Sequence, residues 1–395
     1  MFDLASIQSA LRQFGFDGWL MAEFRGNNVL ARRVLGLDDK SFTSRRLYYW
    51  IPATGEPRKL VHRIESGVLD ALPGSKTVFL RWQELEDGLR ALVGDSRTVA
   101  MEYSPRNGNP YVAKVDAGTV ELVRSFGAEI VSSGDLVQLF EAVWDDEQWA
   151  LHREAEAVTT SAYEVAWKFI ADATRDGGAT SECAVAQLIR DHFERHNAYT
   201  DHGPIVGVGP HSGDPHFEPD PAHDTPIRSG DYVLIDLWAK MKKPRAVYSD
   251  LTRVGYVGTT VPEKYAEVFK VVAAARDAAI ALIREAFAAR RPLRGWEVDD
   301  AARGVIEAAG HGPAFCHRTG HNIGQEVHGN GANMDNLETH EERLVLPRTC
   351  FSIEPGIYGP EFGVRSEVDV YIGADGTVHV TGGLQTEVVP ILRPS

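Results

Sequence analysis

The sequence predicts an α+β protein in two parts: a smaller α/β domain over residues 1–140, and a larger domain over 145–395 with helices on one side of a sheet and chemistry on the other. Three observations carry this expectation. A chain of 395 residues is long enough for two domains, each burying its own core. The stretch VSSGDLVQLFEAVWDDEQWALH reads as a junction between them. Beyond it, one order of elements occurs twice: long helix, glycine break, shorter helix, histidine-bearing loop, then strands that carry acids.

The elements follow in order. Ile7, Leu11 and Phe14 make an amphipathic opening helix before a strand at DGWLMAEF. RRLYYWIPATGEPRKLVHRI divides into two strands around the turn Ala53-Thr54-Gly55-Glu56-Pro57. TVFLRW and TVAMEY are short and apolar enough to be buried strands. This first part shows no phosphate loop, nucleophile elbow or ligand cluster. A long helix is expected from about Asp145 to Arg175, stopped by Gly177-Gly178, with a shorter one capped by Thr180 or Ser181. Thr260-Val261-Pro262-Glu263 has capping-box spacing and opens a second long helix to about Arg290. Arg294-Gly295 interrupts it, and a shorter helix runs from Trp296 to Ala309 before Gly310.

Composition narrows the function. A formal charge of −15 disfavours nucleic acid and anionic membrane, which both select basic patches. No run approaches the roughly 18 apolar residues of a membrane span. The start, MFDLASIQSALRQFGFDGW, has no basic-then-apolar export signature, so a cytoplasmic protein is expected. Cys183, Cys316 and Cys350 are too few and scattered for a disulfide framework and read as reduced, buried thiols.

Of fourteen histidines, four fall in His202–His223 and five in His311–His340, close in sequence to acids on apolar strands. Alternation places Tyr232, Leu234 and Asp236 on one face of YVLIDLW, and Tyr248, Asp250 and Thr252 on one face of AVYSDLTRV. Ser352 and Glu354 share a face in TCFSIEPGIY, as do Arg365, Glu367 and Asp369 in VRSEVDVYI. Any one of these acids could be a cap or the partner of an arginine. Together they form a different case, because two like charges ~4 Å apart repel by about 4 kcal/mol at an effective dielectric of ~20. Two divalent ions would balance Asp236, Asp250, Glu354 and Glu367, with neutral His321 as a fifth ligand. Thiol-free, oxygen-rich ligation suits Mn²⁺, Co²⁺ or Zn²⁺.

The motifs G-H-N-I-G, I-E-P-G and R-S-E, with the two aspartates upstream, resemble those of the creatinase/methionine-aminopeptidase superfamily. These are the "pita-bread" M24 metallopeptidases, and the branch resembled is that of Xaa-Pro dipeptidase (prolidase) and aminopeptidase P. The resemblance covers about residues 145–395. A creatinase-like N-terminal domain of this length is also characteristic of the branch. The resemblance implies a curved antiparallel sheet with outer helices and pseudo-two-fold symmetry. It makes Asp236 a chelating ligand, Asp250 and Glu367 bridges, and His321 and Glu354 ligands of the second ion. It assigns His216 (D-P-H-F) to the scissile bond and His328 (E-V-H-G) to the region around the proline, with His317 and Arg365 at substrate-side positions. Three features depart from the pattern. Thirteen residues (Leu237 to Ser249) separate the aspartates, a longer hairpin loop containing M-K-K-P-R. Asn322 replaces a glycine, and Asn is the non-glycine residue that best tolerates a positive φ. Val368 replaces an acid.

The expected chemistry is two-metal hydrolysis of the bond before proline, with Glu354 as proton shuttle and His216 and His328 stabilising the oxyanion and the leaving imide nitrogen. The substrate would be a small Xaa-Pro peptide and the enzyme a homodimer. Aminopeptidase P activity on longer peptides is the near alternative, and creatinase- or ectoine-hydrolase-like C–N hydrolysis the more distant one. A non-catalytic binding module is disfavoured by the intact set of five ligands.

Overall fold

The computed structural model describes residues 2–37 and 43–393, and the chain divides into two compact units, Met1–Glu141 and Ala142–Ser395. The first contains, in order, α1 (Leu4–Phe14), β1 (Gly18–Glu23), α2 (Val29–Leu35), β2 (Leu47–Pro52), β3 (Arg58–His62), β4 (Ser75–Phe79), α3 (Trp82–Val93), β5 (Thr98–Met101), α4 (Ala117–Arg124), β6 (Glu129–Ser132) and α5 (Gly134–Glu141). Its strands form one mixed sheet, β4-β3-β2-β1-β5-β6. Alternation along β1 sends Trp19 and Met21 into one core and Leu20 and Ala22 into another, so both faces are covered. The strand expected to be buried at TVFLRW is different: β4 is the sheet edge, and Ser75–Val78 are exposed there.

The second unit contains α6 (Asp146–Thr174), β7 (Thr180–Ser181), α7 (Glu182–Arg195), β8 (Ala198–Tyr199), β9 (Ile205–Val208), β10 (Pro226–Ile227), β11 (Tyr232–Met241) and β12 (Ser249–Tyr256). It continues with α8 (Glu263–Ala288), α9 (Gly295–Ala308), β13 (Asn322–Ile323), β14 (Cys350–Ile353), β15 (Gly356–Tyr358), β16 (Gly363–Arg365), β17 (Val368–Ile372), β18 (Val378–Thr381) and β19 (Val389–Pro390). Each half therefore supplies a long helix, a shorter one and a sheet. Asp145 caps α6, accepting from the Gln148 amide at 2.9 Å, and Ser181 caps α7. The capping box expected at Thr260 does not form. Pro262 occupies the N-cap of α8 without a side-chain hydrogen bond.

The sheets run β19-β12-β11-β8, with β9 also on β11, and β13-β14-β17-β18. All their pairings are antiparallel except β12 with β19, which is parallel. Along β11, Val233, Ile235 and Leu237 pack with α6 residues such as Ala166 and Ile170. The intervening Tyr232, Leu234, Asp236 and Trp238 face the other way. Helix burial on one face thus determines which residues are left for chemistry on the other.

Candidate metal centre

Asp236 and Asp250 come from one sheet. In the β11–β12 ladder Asp236 pairs with Thr252 and Trp238 with Asp250, so the two acids sit on adjacent strands, two positions apart on one face. The other sheet supplies His321 just before β13, Glu354 just after β14, and Glu367 just before β17. Here the strands break. Glu354 and Glu367 lie in the short links where the chain leaves this sheet for the β15–β16 hairpin and returns. The Ser352 amide donates to the His321 carbonyl at 2.9 Å, and the His321 amide to Ser352 Oγ at 2.9 Å. A Cβ on Gly320 would overlap the Ser352 carbonyl, so only glycine lets these segments close before His321. Across the seam between sheets, the Glu367 amide donates to the Thr252 carbonyl at 3.2 Å.

Donor atoms of Asp250, His321 and Glu367 lie within 4.8 Å of one another. His321 Nε2 is 3.4 Å from Asp250 Oδ2 and 3.4 Å from Glu354 Oε1. Asp236 Oδ2 meets Arg365 Nη2 at 2.5 Å. Asp236 Oδ1 and Asp250 Oδ1 are buried and have no hydrogen-bond partner among the described residues. Burial, reinforced by neighbouring carboxylates, holds the Asp250 and Glu367 carboxyls well above the usual range. Burial likewise pushes Glu354 up to about 7, with Arg365 opposing. Burial first, then His328 and Arg318, keeps the His321 imidazole neutral. Orphaned carboxylate oxygens, crowded acids and a neutral imidazole are the donor set that divalent ions require, and the residues fit them.

The remaining expected residues fall around this cluster. The His328 ring stands edge-on to His321, with centroids 4.3 Å apart. His216 is exposed, on a segment tied down by Gly363 N–H to Ser212 Oγ at 3.0 Å and Arg365 Nη1 to the Pro215 carbonyl at 3.3 Å. His317 Nδ1 must donate to the Arg318 carbonyl at 2.7 Å, which leaves Nε2 to accept from the Tyr358 hydroxyl at 2.7 Å. That hydroxyl in turn accepts from Arg365 Nη1 at 2.9 Å. Arg365 Nε donates to Thr252 Oγ1 at 2.9 Å, and Thr252 donates to Glu367 Oε2 at 2.7 Å. Arg365 is thus tied to Asp236, Thr252, Tyr358 and Pro215 and is 3% exposed.

Sequence reasoning missed Tyr358 and Arg318, and saw Thr252 only as a strand neighbour. The register opposite Asp236 was the one signal for Thr252. Asn322 also departs from expectation. It is a β13 residue without positive φ. Its Nδ2 donates to the Cys350 carbonyl at 2.9 Å and its Oδ1 accepts from the Gly331 amide at 2.8 Å. The amide side chain occupies space that Gly329 and Gly331 leave by lacking a Cβ.

Two helix pairs, two principal sheets and a seam of acids around one imidazole make up the pita-bread scaffold with a candidate metal centre. Residues 150–374 match the model of metallopeptidase family M24, and the chain belongs to that family. It is 30% identical over 336 residues to the probable dipeptidase PepE of Mycobacterium tuberculosis, covering 84% of this chain and 82% of that one. It is 33% identical over 178 residues to the Xaa-Pro dipeptidase of Pyrococcus furiosus, covering 45% of this chain and 46% of that one. Its fold is similar to that of the crystal structure of dipeptidase PepE from Mycobacterium ulcerans, with a TM-score of 0.68 at 24% identity, covering 98% of this chain and 96% of that one. Among the described residues no helix is long and apolar enough to cross a membrane.

Proposed function

We propose that this peptidase cleaves the bond before proline in Xaa-Pro dipeptides, using two divalent ions, Mn²⁺ first among Mn²⁺, Co²⁺ and Zn²⁺. Asp236, Asp250, His321, Glu354 and Glu367 would hold them. The observation that carries this reading is the pair of buried, partnerless Oδ1 atoms of Asp236 and Asp250 beside a neutral His321. When bound, such ions supply Lewis acidity and lower the pKa of water. Glu354, a carboxylate of the same cluster 3.4 Å from His321, is the proton shuttle in this reading. His216 and His328 stabilise the tetrahedral oxyanion and the leaving imide nitrogen, which has no N–H of its own. His317 and Arg365 shape the substrate side through Tyr358, and Arg365 also orients Asp236.

A dipeptidase needs a cation for the free carboxylate. Arg318 is a candidate, since its charge acts on Glu354, His317, His321 and His328 alike. Residues 145–395 form the catalytic domain in this reading, residues 1–140 are a creatinase-like companion, and the enzyme is a homodimer, which light scattering in solution would test.

The deciding experiment measures free Xaa released from Xaa-Pro and from Xaa-Pro-Yaa, with and without Mn²⁺, and the loss of creatine and ectoine under the same conditions. Mn²⁺-dependent turnover of Xaa-Pro is expected. Faster turnover of Xaa-Pro-Yaa would make the enzyme an aminopeptidase P, and hydrolysis of creatine or ectoine alone would end the proline reading.

A further inference from the structure

We infer that His152 and Asp369 form a positioning device for Asp250, fixing the start of β12 against α6 and β17. The inference rests on the dinuclear reading above and extends it to two residues outside the ligand set.

Both side chains are 0% exposed. His152 Nδ1 lies 2.8 Å from the Tyr248 carbonyl, which can only accept, so Nδ1 carries the proton. Nε2 therefore accepts from Thr381 Oγ1 at 2.8 Å. Asp369 Oδ2 accepts from the Asp250 amide at 3.1 Å and from Ser249 Oγ at 3.1 Å, and lies 3.9 Å from His152 Nε2. Ser249 Oγ also meets Thr159 Oγ1 of α6 at 3.0 Å. Three consecutive residues, Tyr248, Ser249 and Asp250, are each gripped by a buried side chain.

This grip is placed where the backbone gives little support. β12 and β17 belong to different sheets, so no ladder continues across the seam. The Asp369 carboxylate takes the place of the missing ladder acceptor for Asp250, two residues from Glu367 on the same segment. Asp250 is thereby tied to the segment that carries Glu367, and the donor atoms of both lie with that of His321 within 4.8 Å of one another. A ligand carboxylate must be held to within about 0.5 Å for tight coordination, and outer partners of metal ligands are worth 10–100-fold in affinity. Packing alone would ask only for apolar groups between α6 and the sheet.

The test titrates chelator-stripped full-length protein with Mn²⁺ by calorimetry and measures kcat and KM on Xaa-Pro. The variants are His152→Ala, His152→Asn, Asp369→Ala and the near-isosteric Thr381→Val. His152→Ala and Asp369→Ala, which removes the acceptor of the Asp250 amide and Ser249 hydroxyl, should weaken one Mn²⁺ site about 10–100-fold and lower kcat with KM little changed. His152→Asn, which keeps a donor near the Nδ1 position, should recover much of the loss. Thr381→Val, the variant safest for folding, should give a smaller loss of the same kind. Wild-type Mn²⁺ affinity in all variants, with only the melting temperature lowered, would overturn the inference. Absence of Mn²⁺ binding by the unmodified protein would overturn the dinuclear reading and this inference with it.

Discussion

Arg365 Nη2 lies 2.5 Å from Asp236 Oδ2, and neither side chain is more than 11% exposed. The guanidinium is the internal counter-charge of an otherwise acidic cluster. It reaches Asp236 directly and Glu367 through Thr252.

Replacing it should therefore expose the energetics of the site without metal. Arg365→Met in chelator-treated protein is expected to lower unfolding free energy by about 3–5 kcal/mol, the cost of stranding one member of a buried pair. Mn²⁺ should restore part of the loss, because it neutralises the same carboxylates. Urea unfolding curves with and without Mn²⁺ measure both effects. A variant as stable as the parent would mean that Asp236 is not ionised in the folded chain.

Arg318 makes a separable claim about substrate. Arg318→Met should raise KM for an Xaa-Pro dipeptide about 10–100-fold, the range of a lost charged hydrogen bond of about 1.5–3 kcal/mol. Turnover of the corresponding Xaa-Pro amide should change little, since it has no carboxylate to read. Equal losses on both substrates would place Arg318 outside the carboxylate subsite.

Asn322 distinguishes a conformational role from a bonding one. Were its backbone in the left-handed region, Asn322→Gly would be neutral or stabilising. Its extended backbone and two side-chain hydrogen bonds predict instead a loss of about 2 kcal/mol, from the unsatisfied Cys350 carbonyl and Gly331 amide. Thermal unfolding of the glycine variant decides between the two.

The pH dependence of stability should carry the signature of His152. Burial holds its folded pKa at about 4, against an unfolded value near 6.5. The unfolded chain binds the proton first, so the contribution is intact above about pH 6.5 and is lost as pH falls toward about 4. Between those limits the parent should lose about 1.4 kcal/mol per pH unit more than His152→Asn, both measured in chelator. Parallel slopes in urea titrations would show that the imidazole is not neutral in the folded protein.

Much of this protein was legible in one dimension. Periodicity and punctuation determined both helix pairs, because Asp145, Ser181 and Gly310 act on their own neighbours. Alternation on apolar strands identified the face that carries Asp236, Asp250 and Thr252, since burying α6 on the other face leaves the polar positions no alternative. Local pattern misjudged β4, whose exposure depends on its being the sheet edge, and the start of α8. The seam was beyond its reach altogether. That Arg365 turns inward to Asp236 and that His152 and Asp369 close on the start of β12 are pairings across 96 to 129 residues, and that Asn322 fills the space beside Gly329 and Gly331 depends on a loop path that no periodicity reports. They depend on which chain segments meet when two sheets are brought together, and no local propensity encodes that distance.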